Sequence, residues 1–307
     1  IRTRFEVLWR DAEIRYLKGV IEQGDEPILH ERLLREQTEL QADFDRVARV
    51  NIGAESLADE DVAAIRRIGE RSWLRHFDKR LGLSDAELQR LDEEGELPIR
   101  EQLLADSPEH LLPWNGRRPP VEADNPDNHW GFDMALPAHE RNLGELYNLT
   151  QPYGTLTPEE RFTINNHIVQ TIRMLESLPL PPSLQRLPDI AGNHHERVDG
   201  RGYPRKLKAG ALSIPERVMA LADVFEALTA SDRPYKKAKT LSESMRILAK
   251  MTRDGHLDRQ VFKLFLDSGV YQTYARRFLQ PEQIDHVDVR QLWLLAKTES
   301  SNPHQGL

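Results

Sequence analysis

His194 and His195 stand side by side ahead of an acid and a glycine-rich turn, in the run Asn193-His194-His195-Glu196-Arg197-Val198-Asp199-Gly200-Arg201-Gly202-Tyr203-Pro204. Adjacent imidazoles at a helix end point in different directions, so they serve a core poorly. They can serve metal ions well, because neutral imidazole is a common ligand for iron, manganese and zinc. Gly200 and Gly202 let the backbone turn sharply and come close to a ligand, and Pro204 stiffens the exit. Asp223 is the second candidate. It sits in Met219-Ala220-Leu221-Ala222-Asp223-Val224-Phe225, among apolar neighbours, where a buried carboxylate is costly unless it is paired or bound to a cation. Alone it would suit an arginine partner; downstream of two histidines we expect a metal ligand. His167, beside Ile164 and Ile168, would by itself suit a satisfied core position.

These residues need helices to hold them. Thr157-Pro158-Glu159-Glu160 is a strong helix start, with Thr157 as cap and Glu160 reaching back. The helix it opens carries Phe162, Ile164, Ile168, Ile172 and Leu175, and prolines 179, 181 and 182 end it. A further helix should lead into His194. Ser213-Ile214-Pro215-Glu216 starts one running to about Thr229, and Thr240-Leu241-Ser242-Glu243 starts another. Strand signals are few, and the expected class is all-α.

Upstream, residues 1–112 read as a helical insertion or regulatory region. Val7, Leu8, Ile14, Leu17, Val20 and Ile21 recur at spacings that predict a buried stripe. Further helices are expected over 28–50 and over 58–81, the latter stopped by Gly82, and Ser84-Asp85-Ala86-Glu87 supplies a capping box. Residues 113–150 read as an irregular linker, rich in proline and asparagine. Residues 151–295 form the expected helical chemistry domain, and 296–307 a flexible tail. The chain opens Ile1-Arg2-Thr3-Arg4-Phe5-Glu6-Val7-Leu8-Trp9, already amphipathic and without methionine, so we expect it to be the C-terminal part of something longer.

The 307 residues are 39% apolar and 30% charged, without a single cysteine. Thiolate metal sites and disulfides are therefore excluded within this sequence. No apolar run approaches the roughly 18 to 20 residues of a membrane span, no signal peptide is visible, and the expected compartment is the cytoplasm. A net charge of −8 argues against a general DNA binder, which carries a basic face. Any phosphorylated substrate must be drawn in by local cations or metals.

The pattern HHE-x-x-DG-x-GYP resembles the HD-GYP family of bacterial metal-dependent phosphodiesterases, strongly over about residues 151–240 and loosely over 241–290. The resemblance implies an HD-GYP-like helical bundle and metal ligation by His167, His194, His195 and Asp223. His194, His195 and Asp223 would form the catalytic centre, with two or three divalent ions, iron or manganese, and zinc also open. Leu156-Thr157-Pro158-Glu159-Glu160 precedes His167 as in the family. Asp232-Arg233-Pro234-Tyr235-Lys236-Lys237 matches its Arg-Pro-Tyr motif, which implies that Arg233 and Lys236, with the Gly202-Tyr203-Pro204 loop, bind substrate phosphate. Glu196, Asp199 and Arg217 also match, implying that they fix imidazoles, hold the loop or support a phosphate. The usual family substrate is cyclic di-GMP, cleaved to pGpG or GMP; candidate partners are signalling proteins and a second copy of the chain.

One family element is missing. The chain contains no His-Asp dipeptide, whereas the family carries one followed by Ile-Gly-Lys. Either Leu136-Pro137-Ala138-His139-Glu140-Arg141-Asn142 holds a degenerate version, or the dyad lies upstream of a long insertion, the reading we favour. Arg205-Lys206-Leu207 also departs from relatives that have a glycine before the leucine. Two alternatives to a cyclic dinucleotide phosphodiesterase follow: a catalytically degenerate module that binds nucleotide or protein, and a phosphohydrolase of the wider HD superfamily acting on another nucleotide.

Overall fold

A computed structural model describes residues 1–53, 56–91, 95–114, 116, 118–154, 156–230 and 239–298. Arg233, Lys236 and the tail from residue 299 therefore lie outside the described residues. The chain is all-α: the described residues form twelve α-helices and four strands of two to four residues. They group into two compact units, residues 1–118 with 137–162, and residues 119–136 with 163–307.

The first unit begins with a helical hairpin of α1 (Arg2–Gln23) and α2 (Glu26–Ile52), turned at Gly24. Gly24 takes a φ of 70°, a left-handed conformation that glycine adopts without steric cost. α3 (Asp59–Gly69), β1 (Ser72–Arg75), α4 (Asp85–Leu88), β2 (Ile99–Gln102), β3 (Leu111–Leu112), β4 (Arg141–Asn142) and α5 (Glu145–Leu149) follow. β1 pairs antiparallel with β2, Trp73 opposite Glu101, and β3 with β4, Leu111 opposite Asn142. The core gathers Phe5, Leu40, Val47, Ile65, Leu103 and Leu104.

Two expectations fail here. The helix expected over 58–81 stops at Gly69, and Ser72–Arg75 becomes a strand. Trp73 suits a ladder, and the ladder partners are 24 to 30 residues away along the chain, invisible to a local pattern. In α1 the buried positions are Phe5 and Ala12, whereas Ile14, Leu17 and Ile21 are exposed, Ile21 by 84%. That helix is apolar on more than one side, and α2 covers only the side that carries Phe5.

α6 (Pro158–Glu176) belongs to the first unit as far as Phe162 and to the second from Thr163. Its start is capped as expected: the Thr157 N–H donates to Glu160 Oε2 at 2.9 Å, and the Glu160 N–H to Thr157 Oγ1 at 3.2 Å. The second unit continues with α7 (Leu187–Gly192), α8 (Ile214–Thr229), α9 (Leu241–Arg253), α10 (Arg259–Ser268), α11 (Val270–Phe278) and α12 (Val289–Lys297). The boundaries of α8 and the capping boxes at Ser213 and Thr240 match the sequence signals. Phe225, Met245, Leu248, Leu257, Phe262 and Tyr271 are the large members of its core. Residues 119–136 lie against this unit as an arm, with Val121, Phe132 and Met134 buried. The Asp133 N–H donates to Pro204 O at 2.7 Å. No described helix is long and apolar enough to cross a membrane.

Candidate metal centre

Three elements of the second unit converge on the histidines. α6 buries Ile168, Val169 and Ile172 completely and leaves His167 on its open side. α7 approaches so closely that a Cβ at Gly192 would lie 2.3 Å from Ile172 Cγ1; only glycine fits that crossing, and it puts His194 beside His167. α8 then brings Asp223 to His195. Among the described residues, His167, His194 and His195 are the group able to hold a metal ion, each offering one ligand atom and all of these within 4.8 Å of one another.

The ring hydrogen bonds decide which nitrogens are free. His167 Nδ1 lies 2.5 Å from Ile164 O and His194 Nδ1 lies 2.7 Å from Ala191 O. A carbonyl oxygen only accepts, so each Nδ1 carries the proton of that bond, and in the neutral imidazole the free lone pair is the one on Nε2. Burial, and then the neighbouring His194, push the His195 imidazole down to about 4, against a smaller opposing pull from Asp223. It is therefore neutral at physiological pH, the form that binds metal.

His195 Nδ1 and Asp223 Oδ2 stand 3.8 Å apart, too far for a hydrogen bond. Ligand bonds of about 2.0 to 2.2 Å place two donors of one ion roughly 3 to 4 Å apart, so this gap fits a shared cation. Three imidazoles, with the Asp223 carboxylate facing one of them, make a sulfur-free arrangement of the kind that suits a divalent transition metal. Asp223 is not the buried carboxylate that its apolar neighbours suggested: its side chain is 41% exposed. The helix turns Asp223 out of the core along with Met219 and Ala222, and Asp223 faces His195.

The glycine loop is fastened under the cluster. Glu196, fully buried, accepts from the N–H groups of Arg205 at 2.6 Å and Leu207 at 2.9 Å. Burial raises its carboxyl above the usual range, opposed by those two N–H groups. A Cβ at Gly202 would lie 2.4 Å from Arg197 N and 2.5 Å from Glu196 Cα, so the loop folds backbone against backbone there. Tyr203 consequently stacks on His195, ring centroids 4.8 Å apart, and burial followed by Asp223 pushes its hydroxyl up to about 12. Pro204 follows through a cis peptide bond.

Asp199 accepts from Arg197 Nη2 at 2.7 Å and the Arg201 N–H at 2.9 Å, and its own N–H donates to Gly255 O. Arg217 pairs with Asp258 at 2.8 Å and donates to the carbonyls of Leu212 and Ala209. Glu196, Asp199 and Arg217 thus brace the loop and its exit; helix carbonyls orient the imidazoles of His167 and His194. His139 and Glu140 belong to the first unit, where the Glu140 N–H donates to Leu112 O.

Sequence reasoning missed a second brace. Arg205 donates to Trp130 O at 2.9 Å and to Asp189 Oδ1 at 3.0 Å, and its Nη1 reaches Asn193 Oδ1 at 3.4 Å. It ties the arm, α7 and the loop together, and no local pattern marks such a role. Lys206, where relatives often have glycine, takes a φ of 54°, and its Nζ lies 2.9 Å from Asp133 Oδ1.

The HD domain family model matches residues 98–261, just over half of the chain. That match takes in the 113–150 segment that composition marks as a linker. A 3′3′-cGAMP-specific phosphodiesterase of Vibrio cholerae is 50% identical over 76 residues, covering 25% of this chain and 17% of that protein. A cyclic di-GMP phosphodiesterase of Pseudomonas aeruginosa is 39% identical over 123 residues, 40% of this chain and 28% of that protein. Another of that description from Thermotoga maritima is 42% identical over 116 residues, 38% of this chain and 31% of that protein. The chain thus spans less than a third of the length of each of these relatives.

Proposed function

This chain belongs to the HD domain family and carries the loop of its HD-GYP branch; from that premise we propose that it is a metal-dependent phosphodiesterase that hydrolyses a cyclic dinucleotide, cyclic di-GMP first among them. The observation that carries the proposal is the cluster of His167, His194 and His195 with Asp223 facing it. These four side chains would hold a divalent ion, iron or manganese, and a second ion would draw on further donors. A bound divalent ion supplies an activated water and neutralises charge on phosphate oxygens.

The chain's own residues set up that chemistry. His195 stays neutral and available as a ligand. Tyr203 covers one face of His195, and burial keeps its hydroxyl protonated, with a proton to donate. The loop under it excludes water from that side. Arg233 and Lys236 are proposed to hold phosphate oxygens. The relatives named for cyclic di-GMP and 3′3′-cGAMP support the substrate class, and bacterial cytoplasm is the compartment where such signals act.

The test is hydrolysis of cyclic di-GMP and 3′3′-cGAMP by manganese- or iron-loaded protein, followed by chromatography of the linear products. Turnover is expected, and His195→Ala and Asp223→Ala should each abolish it together with metal binding. Protein that holds metal but cleaves neither nucleotide would refute the activity. A second reading, a nucleotide-binding module without turnover, draws on the absence of a His-Asp dipeptide from these 307 residues. It would be favoured if cyclic di-GMP bound without being cleaved.

A further inference from the structure

We infer that the groove between α2 and α3 is a second site, one that binds the phosphate of a small molecule, either free phosphate or pyrophosphate or the phosphate end of a nucleotide. It lies wholly within the first unit and is independent of the metal centre. Four guanidinium groups line it: Arg46 and Arg49 from α2, Arg67 from α3, and Arg71 just after α3. Arg46 and Arg49, three residues apart, share one face of α2, and Arg71 follows Arg67 just beyond the end of α3. Asp43 is the one acid in the lining. The small side chains of Ala42 and Ala64 leave the groove open, with a volume near 370 Å³, in the range of small-ligand sites, about 300 to 1,000 Å³.

Neighbouring acids hold two of these arginines without covering the groove. Asp43 Oδ2 takes Arg71 Nε at 2.7 Å, with Glu39 3.6 Å from its Nη2. Asp61 lies 3.8 Å from Arg46 Nε, leaving the two terminal nitrogens of Arg46 without a protein partner among the described residues. Arg49 and Arg67 have no protein partner at all among those residues, and both are exposed. Planar guanidinium forks match phosphate oxygens two at a time. A general basic composition does not explain the cluster, because the chain carries 50 acidic and 42 basic residues. Arg71 is already paired with Asp43, and an anion of two or more charges would complete the hydrogen bonding of Arg46, Arg49 and Arg67.

Titration calorimetry at low salt, on protein stripped of metal with EDTA, tests this with pyrophosphate and with GMP as probes. Wild-type protein is expected to saturate with a Kd below about 1 mM, and binding should weaken as salt is added. Arg49→Ala/Arg67→Ala, whose fold circular dichroism would confirm, should bind at least tenfold more weakly. Equal affinities for the two probes would mean recognition of phosphate alone; tighter binding of GMP would mean a nucleotide ligand. No saturation by either probe at about 10 mM, or equal binding by the double variant, would overturn the proposal.

Discussion

Gly202→Ala tests whether close backbone packing, rather than loop flexibility, sets the geometry at His195. The added Cβ would lie 2.4, 2.5 and 2.7 Å from Arg197 N, Glu196 Cα and Glu196 C. All three atoms are backbone, so no side chain can swing aside. The loop must retreat by roughly 1 Å, at the cost usual for overpacking, about 1 to 3 kcal/mol. That shift also pulls the N–H groups of Arg205 and Leu207 from the Glu196 carboxylate, and one charge-assisted hydrogen bond is worth about 1.5 to 3 kcal/mol. The sum is a destabilisation of roughly 2.5 to 6 kcal/mol. Urea unfolding followed by tryptophan fluorescence reads it as a midpoint shift of about 1 to 3 M, with m near 2 kcal/mol/M. Metal affinity should fall as well, because Tyr203 stacks on His195 through the same turn. Gly210→Ala is the control: a Cβ there meets nothing within 4 Å, and the change should stay within about 0.5 kcal/mol. If Gly202→Ala unfolds with the wild-type midpoint and binds metal as the wild type does, the packing account is wrong.

Other outcomes follow from the same geometry. At Lys206, glycine should be more stable than alanine by about 1 kcal/mol in chemical unfolding, the reverse of the usual order, because φ is 54° there and a left-handed Cβ costs about 1 to 2 kcal/mol; alanine equal to or better than glycine would refute it. His195 gives the metal-free protein a pH dependence of definite sign. Its folded value, about 4, lies below the unfolded value near 6.5, so the unfolded chain takes up the proton first as pH falls. The stability it contributes is complete above about pH 6.5 and is lost between there and about pH 4, by roughly 2 to 3 kcal/mol, reduced slightly for its 22% exposed side chain. His195→Gln should remove that share of the slope in unfolding measured at pH 7.5, 5.5 and 4, and an unchanged slope would refute the assignment. Arg205→Ala should lower the melting temperature and speed proteolysis within residues 119–136, because it removes the bond to Trp130 O; cleavage at the wild-type rate would show that the arm is held by other contacts.

The chemistry was more legible in the sequence than the scaffold. His194 and His195 declare themselves because two adjacent imidazoles have no packing rationale. The boundaries of α8 and the starts of α6 and α9 were legible because Ser213, Thr157 and Thr240 are each followed three residues later by a glutamate whose carboxylate accepts from their N–H. What local pattern could not supply was long-range partnership. β1 exists because of residues 99–102, and Arg205 matters because Trp130, Asp189 and Asn193 come to it in space. Ile14, Leu17 and Ile21 have helical spacing, but spacing does not say which of several apolar faces a neighbour will cover. Asp223 shows the converse: its neighbours are apolar, yet the helix turns it outward. Gly192 was passed over because its meaning lies in how close α7 comes to Ile172.

The hydrogen bonds that aim His167 and His194 come from carbonyls three residues earlier in the chain, at Ile164 and Ala191. Each candidate ligand thus takes its alignment from nearby backbone, His167 from within α6 and His194 from the last turn of α7. Side-chain mutagenesis would find no supporting partner for either ring, since the group that orients it survives every substitution except those that distort the helix. The directional information is encoded as helix integrity, so a proline placed just upstream of either histidine would misdirect the ring while leaving every candidate metal ligand in the sequence.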